Sequence, residues 1–181
     1  MPSWSKIARR IRVPLGFAFA AVFIWLARPT ILSIVIGSCV AFAGLCIRAI
    51  ASGHVEKNEV LATSGPYAHT RNPLYLGSII LALGFLIAAK SWWLLLIAAA
   101  MLVTIYVPVI HSEEAFLRTR FPEFDDYSAQ VPRLFPRVRA YEKRPASFSW
   151  HLYWKHREYN AALGAGLMIA FLIAKTIWFY K

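Results

Sequence analysis

The sequence has 181 residues, of which 59% are hydrophobic. Soluble domains are about half apolar, and here the excess is gathered into long apolar blocks, which indicates a membrane protein. The net charge of +11 would suggest a nucleic-acid partner in a soluble protein, but the sequence has no motif of the usual nucleic-acid-binding modules. We therefore expect no nucleic-acid partner and a single domain over residues 1–181.

Five apolar segments are predicted to be membrane helices, and they cover residues 13–27, 30–50, 74–89, 92–110 and 161–180. The first two are separated by Arg28-Pro29, a tight turn, and form a helical hairpin. Pro108 is predicted to kink the end of the fourth helix, with neighbouring groups satisfying the carbonyl that a proline leaves free. The pattern predicts an all-α, polytopic membrane bundle of about five transmembrane helices.

Residues 111–130 are predicted to be a cytoplasmic helical stretch that breaks at Phe121-Pro122. Its apolar side chains recur at three- and four-residue spacing and form one stripe: Leu117, Phe121, Phe124 and Tyr127. Residues 133–160 are basic and aromatic, a composition typical of a segment in the lipid headgroup layer.

The basic residues divide unequally between the two sides that alternating spans would create. Sixteen of the twenty lysines and arginines fall on one side, and only Arg28, Lys90, Lys175 and Lys181 fall on the other. Cytoplasmic loops carry this excess of positive charge. The distribution predicts an integral protein of a bacterial inner membrane, with the N-terminus and two polar blocks, residues 51–72 and 113–136, in the cytoplasm.

The first polar block lies between the second and third apolar segments. Gly65-Pro66 is a turn signal, and Asn72-Pro73 is a helix start with Asn72 as the N-cap. Local structure does not explain Tyr67, Arg71 and Tyr75, which are spaced four apart. They could form a polar wall at the bilayer surface, or the tyrosines could simply anchor at the interface.

The second polar block begins with Glu113-Glu114, directly after the fourth apolar segment. An acidic pair there could suit the first turn of a helix or could hold a cationic ligand. The histidines are scattered singly, without the spacing of metal ligands, so we expect no metal site. The two polar blocks are interpreted as halves of one site.

In order, the two blocks read Gly65-Pro66-Tyr67-x-x-x-Arg71-Asn72-Pro73-x-Tyr75-x-Gly77, then Glu113-Glu114-x-x-Leu117, then Tyr127-x-x-x-Val131-Pro132-x-x-x-Pro136. This ordered pattern resembles the isoprenylcysteine carboxyl methyltransferase family, whose pattern the phospholipid N-methyltransferases largely share. The resemblance covers about residues 60–136. It divides the domain into the hairpin (13–50), a catalytic core (51–136), and a basic interfacial segment with a C-terminal membrane helix (137–181).

The resemblance implies an integral membrane methyltransferase with a cytosol-facing pocket for S-adenosylmethionine. The positions that match the family's cofactor contacts are Leu61, Ala62, Tyr67, Asn72, Pro73, Leu74, Tyr75 and Glu113. The predicted catalytic residues are Arg71, Glu113 and Glu114. Val109 stands where the eukaryotic prenylcysteine enzymes carry a substrate-contacting arginine, so the acceptor stays open.

The preferred reaction is carboxyl O-methylation of a lipophilic or prenylated acceptor that enters from the bilayer. A carboxylate is already ionised at neutral pH and needs no general base. Three alternatives are a phospholipid N-methyltransferase, a membrane reductase of the sterol-reductase type that uses NADPH, and a scaffold without enzymatic activity.

Overall fold

The structure, a computed structural model, describes residues 4–56, 59–141 and 147–179, and no β-strand occurs among them. The α-helices are α1 (Trp4–Leu26), α2 (Ile31–Ser52), α3 (Pro73–Ala89), α4 (Trp92–Met101), α5 (Val107–Arg120), α6 (Phe124–Gln130), α7 (Trp150–Lys155) and α8 (Tyr159–Phe179). A 3₁₀ turn covers Gly65–Ala68, and a π-helical turn covers Leu102–Tyr106 between α4 and α5. The predicted all-α membrane fold is confirmed.

Within the described residues, three helices are long and apolar enough to cross a membrane: Ile31–Ser52, Trp92–Arg120 and Tyr159–Trp178. Helix α3 is also apolar but has only 17 residues. Helix α1 carries four basic residues, Lys6, Arg9, Arg10 and Arg12, in its first nine positions. The protein is an integral membrane protein, and the number of its spans stays a prediction.

Two predicted helix boundaries were wrong. Helix α1 begins at Trp4 instead of residue 13, because lysine and arginine are good helix formers and hydropathy marks only the apolar part of a helix. The fourth membrane helix does not end at residue 110 but continues through the π turn and α5 to Arg120. The predicted break at Phe121-Pro122 is confirmed, since α5 ends just before it and α6 starts at Phe124.

Helices α2 and α3 pack closely through small residues. A Cβ added to Gly44 would lie 2.5 Å from the backbone N of Leu81, and one added to Gly37 would lie 2.4 Å from the carbonyl O of Gly84. Because no side chain fits between the backbones, glycine at these positions allows the helices to approach. The first polar block connects these two helices, and so their packing fixes where its two ends lie.

Helix α1 packs against the π turn and α5. Pro108 has no N–H to donate to the carbonyl of Thr104, four residues earlier. The indole N–H of Trp4 donates to that carbonyl at 2.9 Å. The predicted satisfaction of the freed carbonyl is thus confirmed, and its donor ties the start of α1 to the irregular turn.

Candidate active site

A cavity of about 860 Å³ lies where the two polar blocks meet, with α1, α2, α3 and α5 contributing to its wall. All but one of the predicted site residues line it: Leu61, Ala62, Tyr67, Arg71, Asn72, Leu74, Tyr75, Glu113 and Glu114. The exception is Pro73, which is fully buried at the first position of α3. The expectation that the two blocks fold onto each other is confirmed.

Glu113 is the accessible carboxylate of the acidic pair. The hydroxyl of Tyr75 on α3 donates to Glu113 Oε1 at 2.9 Å. Arg12 Nη1 on α1 lies 4.0 Å from the same oxygen. The Glu113 side chain is 42% exposed, and so it can still bind a ligand in the cavity.

Glu114 is buried and fully engaged by neighbouring groups. Its Oε2 accepts from Arg133 Nε at 2.9 Å and lies 3.5 Å from Arg71 Nη1. Its Oε1 accepts from Asn72 Nδ2 at 2.9 Å. Glu114 therefore joins the start of α3, helix α5 and the chain after α6, and its predicted catalytic role stays a prediction.

Asn72 occupies the predicted N-cap position of α3, but its side chain makes no capping hydrogen bond. The amide instead donates to Glu114 and, at 3.1 Å, to the carbonyl O of Arg133. The predicted N-cap position is confirmed, while the side-chain amide is oriented by its two acceptors and its oxygen does not cap the helix.

Arg71 keeps one unused hydrogen-bond donor. Its side chain is only 14% exposed, and the buried Nε has no partner among the described residues. Buried donors are almost always paired, so an unpaired one at a cavity wall points to a missing acceptor. An anionic group of a ligand would supply that acceptor.

Tyr67 and Tyr127 connect the 3₁₀ turn to α6. The hydroxyl of Tyr127 donates to the carbonyl O of Tyr67 at 2.7 Å. Burial raises the pKa of Tyr127, and burial together with the carboxylates of Glu158 and Glu113 raises the pKa of Tyr67. Both hydroxyls therefore remain protonated, so that of Tyr67 can donate a hydrogen bond into the cavity.

The predicted stripe on the second polar block belongs to a hydrophobic cluster that forms part of the cavity wall. Its members are Leu61, Leu117, Phe121, Phe124, Tyr127, Val131 and Tyr141. Because Leu61 comes from the first polar block, this cluster holds the blocks together with apolar contacts in addition to the ion pairs.

The sequence model of the family described as phospholipid methyltransferase matches residues 24–123 of this chain. The chain belongs to this family. The match includes α2, α3 and most of the cavity wall, and it agrees with the resemblance to membrane methyltransferases found in the sequence. No solved structure matches the chain.

Three relatives are similar to part of this chain, and one of them is described as a methyltransferase. The cobalt-zinc-cadmium resistance protein CzcN of Cupriavidus metallidurans is 37% identical over 48% of this chain and 40% of its own length. The nickel-cobalt-cadmium resistance protein NccN of Alcaligenes xylosoxydans xylosoxydans is 39% identical over 46% of this chain and 39% of its own length. The protein-S-isoprenylcysteine O-methyltransferase of Schizosaccharomyces pombe is 29% identical over 56% of this chain and 43% of its own length.

The chain thus matches less than half the length of each of these relatives. The part of the chain that the structure describes contains no group of three or more His, Cys, Asp or Glu side chains placed to hold a metal ion.

Several polar residues of the cavity region lie outside the stretch that the phospholipid methyltransferase model matches. Arg133, which binds Glu114, follows it and falls at a position that the recognised motif leaves free. Arg12 precedes the matched stretch on α1, and nothing in the sequence distinguishes it from the other basic residues of that helix. Sequence reasoning missed both, since neither stands at a motif position.

The turn between α7 and α8 adds two further residues to the cavity wall, His156 and Glu158. Glu158 forms an ion pair with Arg48 of α2, which also donates to Ser78 Oγ. His156 Nδ1 lies 3.1 Å from the carbonyl O of Ser52 at the end of α2. The C-terminal segment therefore closes one side of the cavity, which local sequence patterns could not predict.

Proposed function

We propose that this protein is an S-adenosylmethionine-dependent methyltransferase that acts at the cytosolic membrane face on a lipid-like or isoprenylated acceptor. The observation that carries the proposal is the meeting of the two polar blocks at one cavity, where Tyr75 binds Glu113 and Asn72 binds Glu114. Membership of a methyltransferase family supports the reaction class.

The cavity has groups suited to this cofactor. S-adenosylmethionine, when bound, supplies an electrophilic methyl group on a positively charged sulfonium. The half-exposed carboxylate of Glu113 would attract that positive charge, and the protonated hydroxyl of Tyr67 would donate a hydrogen bond. The unpaired Nε–H of Arg71 would bind the cofactor's carboxylate.

The preferred reaction is carboxyl O-methylation. The carboxylate oxygen of the acceptor would bond to the methyl carbon as the carbon–sulfur bond breaks, and the electron pair of that bond would stay on sulfur. No proton moves, so the protein has to align the reactants and exclude water. The apolar residues of the cavity wall would exclude water from this step.

One observation favours a second acceptor class, an aminophospholipid, because the matching family is described as phospholipid methyltransferase. An amine must lose a proton before or during methyl transfer, and Glu113 would be the base. The two classes differ in product chemistry: alkali releases a methyl ester as methanol, whereas an N-methyl group is retained.

The first test measures cofactor binding by the purified protein in detergent with titration calorimetry. We expect S-adenosylmethionine to bind and S-adenosylhomocysteine to compete. Glu113→Gln should weaken binding about 10- to 100-fold, because hydrogen bonds to charged groups contribute about 1.5–3 kcal/mol. The matched control is Glu123→Gln at an exposed position outside the cavity wall.

Absence of binding by the wild-type protein would refute the cofactor assignment, and a thermal shift with NADPH in its place would favour the reductase alternative. Equal cofactor affinity of the wild type and Glu113→Gln would show that Glu113 does not contact the cofactor. Transfer of labelled methyl groups into a lipid and peptide extract, followed by alkali treatment, then identifies the acceptor class.

A further inference from the structure

Helix α1 lines the cavity with one face, although most of it lies before the family match begins at residue 24. The lining residues recur at three- and four-residue spacing: Arg12, Val13, Gly16, Phe17 and Ala20. From Arg12 to Ala20 this face extends about 12 Å along the helix axis, at 1.5 Å per residue. It begins beside Glu113 and runs away from the polar end of the site.

The polar end of this face is a cation with unused donors. Arg12 Nη1 lies 3.3 Å from the Tyr75 hydroxyl and 4.0 Å from Glu113 Oε1. The side chain is 38% exposed, and its guanidinium makes no other hydrogen bond among the described residues. A guanidinium has five N–H donors in a fixed fork, which suits a carboxylate held by two parallel hydrogen bonds.

The rest of the face is apolar and unfilled. Val13 and Phe17 are exposed. A Cβ added to Gly16 would meet no other atom within 4 Å. The cavity therefore continues as an open apolar strip next to Arg12, with space where glycine provides no side chain.

We propose that α1 selects the acceptor, and that the acceptor is a single-chain amphiphile with a carboxylate head. Arg12 holds the head beside Glu113, and the alkyl chain lies along Val13, Gly16 and Phe17. This choice rests on charge complementarity: Glu113 accepts from Tyr75 and would face the cofactor's sulfonium, so the unused N–H donors of Arg12 are left for the acceptor head and attract a carboxylate. The binding of a carboxylate amphiphile by α1 is independent of the proposed function, and only the identification of this carboxylate as the methyl acceptor rests on it.

The test measures binding of nitroxide-labelled stearate to the protein in phosphatidylcholine nanodiscs, by the immobilised fraction in electron paramagnetic resonance. We expect the wild-type protein to immobilise the stearate and not its methyl ester. Arg12→Gln should weaken binding about tenfold. Gly16→Leu should abolish it with the arginine intact, because leucine fills the open strip.

Two matched controls separate this site from general effects. Arg10→Gln removes an exposed arginine of the same helix that does not line the cavity. Gly164→Leu adds the same side chain on α8, where a Cβ also meets no atom within 4 Å. Both should bind stearate as the wild type does.

Equal binding of acid and ester, or equal binding by wild type and Arg12→Gln, would overturn the inference. Immobilisation of a labelled alkyl phosphate in preference to stearate would also overturn it. Calorimetry with S-adenosylmethionine on the same samples distinguishes the two proposals. Cofactor binding without Arg12-dependent stearate binding refutes only this inference, whereas the reverse result refutes only the proposed function.

Discussion

Glu113 and Glu114 are adjacent in the sequence but differ in burial and in partners. Glu113 is half-exposed at the cavity and binds Tyr75, whereas Glu114 is buried among Arg71, Arg133 and Asn72. The sequence grouped them as one acidic pair with a catalytic role. Neighbouring residues on a helix point about 100° apart, so one can face a ligand while the other faces the protein.

This difference predicts that replacing each glutamate by glutamine affects a different property, stability for Glu114 and ligand binding for Glu113. Glu114→Gln should destabilise the protein, because it leaves two arginines without their buried counter-charge, and breaking such pairs costs about 3–5 kcal/mol. The loss should be at the lower end of that range, since Arg133 is 40% exposed and water can solvate it. Glu113→Gln should leave stability nearly unchanged and reduce only ligand binding.

The melting temperature in detergent is measured, with tryptophan fluorescence as the signal of unfolding. A Glu114→Gln protein as stable as the wild type would show that the ion pairs around Glu114 do not support the fold. The exposed Glu123→Gln variant serves again as the reference for removal of one negative charge.

At the scale of elements, the α2–α3 contact supports one side of the cavity. Helix α3 begins at the first polar block, and Arg48 near the end of α2 donates to Ser78 and to the carbonyl O of Leu74. Separation of the two backbones would strain the hydrogen bonds of Arg48 to Ser78 and Leu74, which line the cavity. We therefore expect the glycines at this contact to matter for the site as well as for packing.

We predict that Gly44→Ala destabilises the protein and lowers cofactor affinity together. The added methyl would lie 2.5 Å from the backbone N of Leu81 and 2.6 Å from the carbonyl O of Gly77, so the helices must separate. Gly164→Ala on α8 is the matched control and should melt at or above the wild-type temperature, since alanine favours a helix by about 1 kcal/mol. Equal melting temperatures of Gly44→Ala and Gly164→Ala would contradict the close approach of α2 and α3.

Sequence patterns predicted most of the elements and the two halves of the site. Helices α2, α3 and α8 and the break before α6 follow from apolar segments, turn residues and proline, all of which are local signals. The partners of the polar side chains could not be predicted in the same way. Arg133 on Glu114 and Glu158 on Arg48 are contacts between distant segments, and no short-range rule brings them together.

At the scale of the whole molecule, the few basic residues predicted to lie on the non-cytoplasmic side, Arg28, Lys90 and Lys175 among the described residues, lie at one end. The N–H of Arg28 donates to the carbonyl O of Ala89, next to Lys90, at 2.8 Å, and Lys175 Nζ donates to the carbonyl O of Ile24 at 2.7 Å. Along α1 this end is about 18 Å from Arg12, at 1.5 Å per residue. The arrangement agrees with alternating spans, while the orientation itself stays a prediction.

We predict that the N-terminus and the cavity face the cytoplasm and that the C-terminus faces the periplasm, because the cavity end carries most of the positive charge. In a bacterial host, alkaline phosphatase fused after Lys181 should be active and green fluorescent protein at the same site dark. A fusion after Lys90 should behave in the same way, whereas one after Tyr141 should show the reverse. Active phosphatase after Tyr141 would contradict this orientation.

The ion pair between Arg48 and Glu158 joins residues 110 positions apart. A ribosome adds about 5–20 residues per second, so Arg48 is synthesised roughly 5–20 s before the carboxylate that neutralises it. During that interval α2 and α3 can already enter the bilayer while one wall of the cavity is missing. The cavity wall is therefore complete only after translation has passed the turn between α7 and α8, which supplies His156 and Glu158.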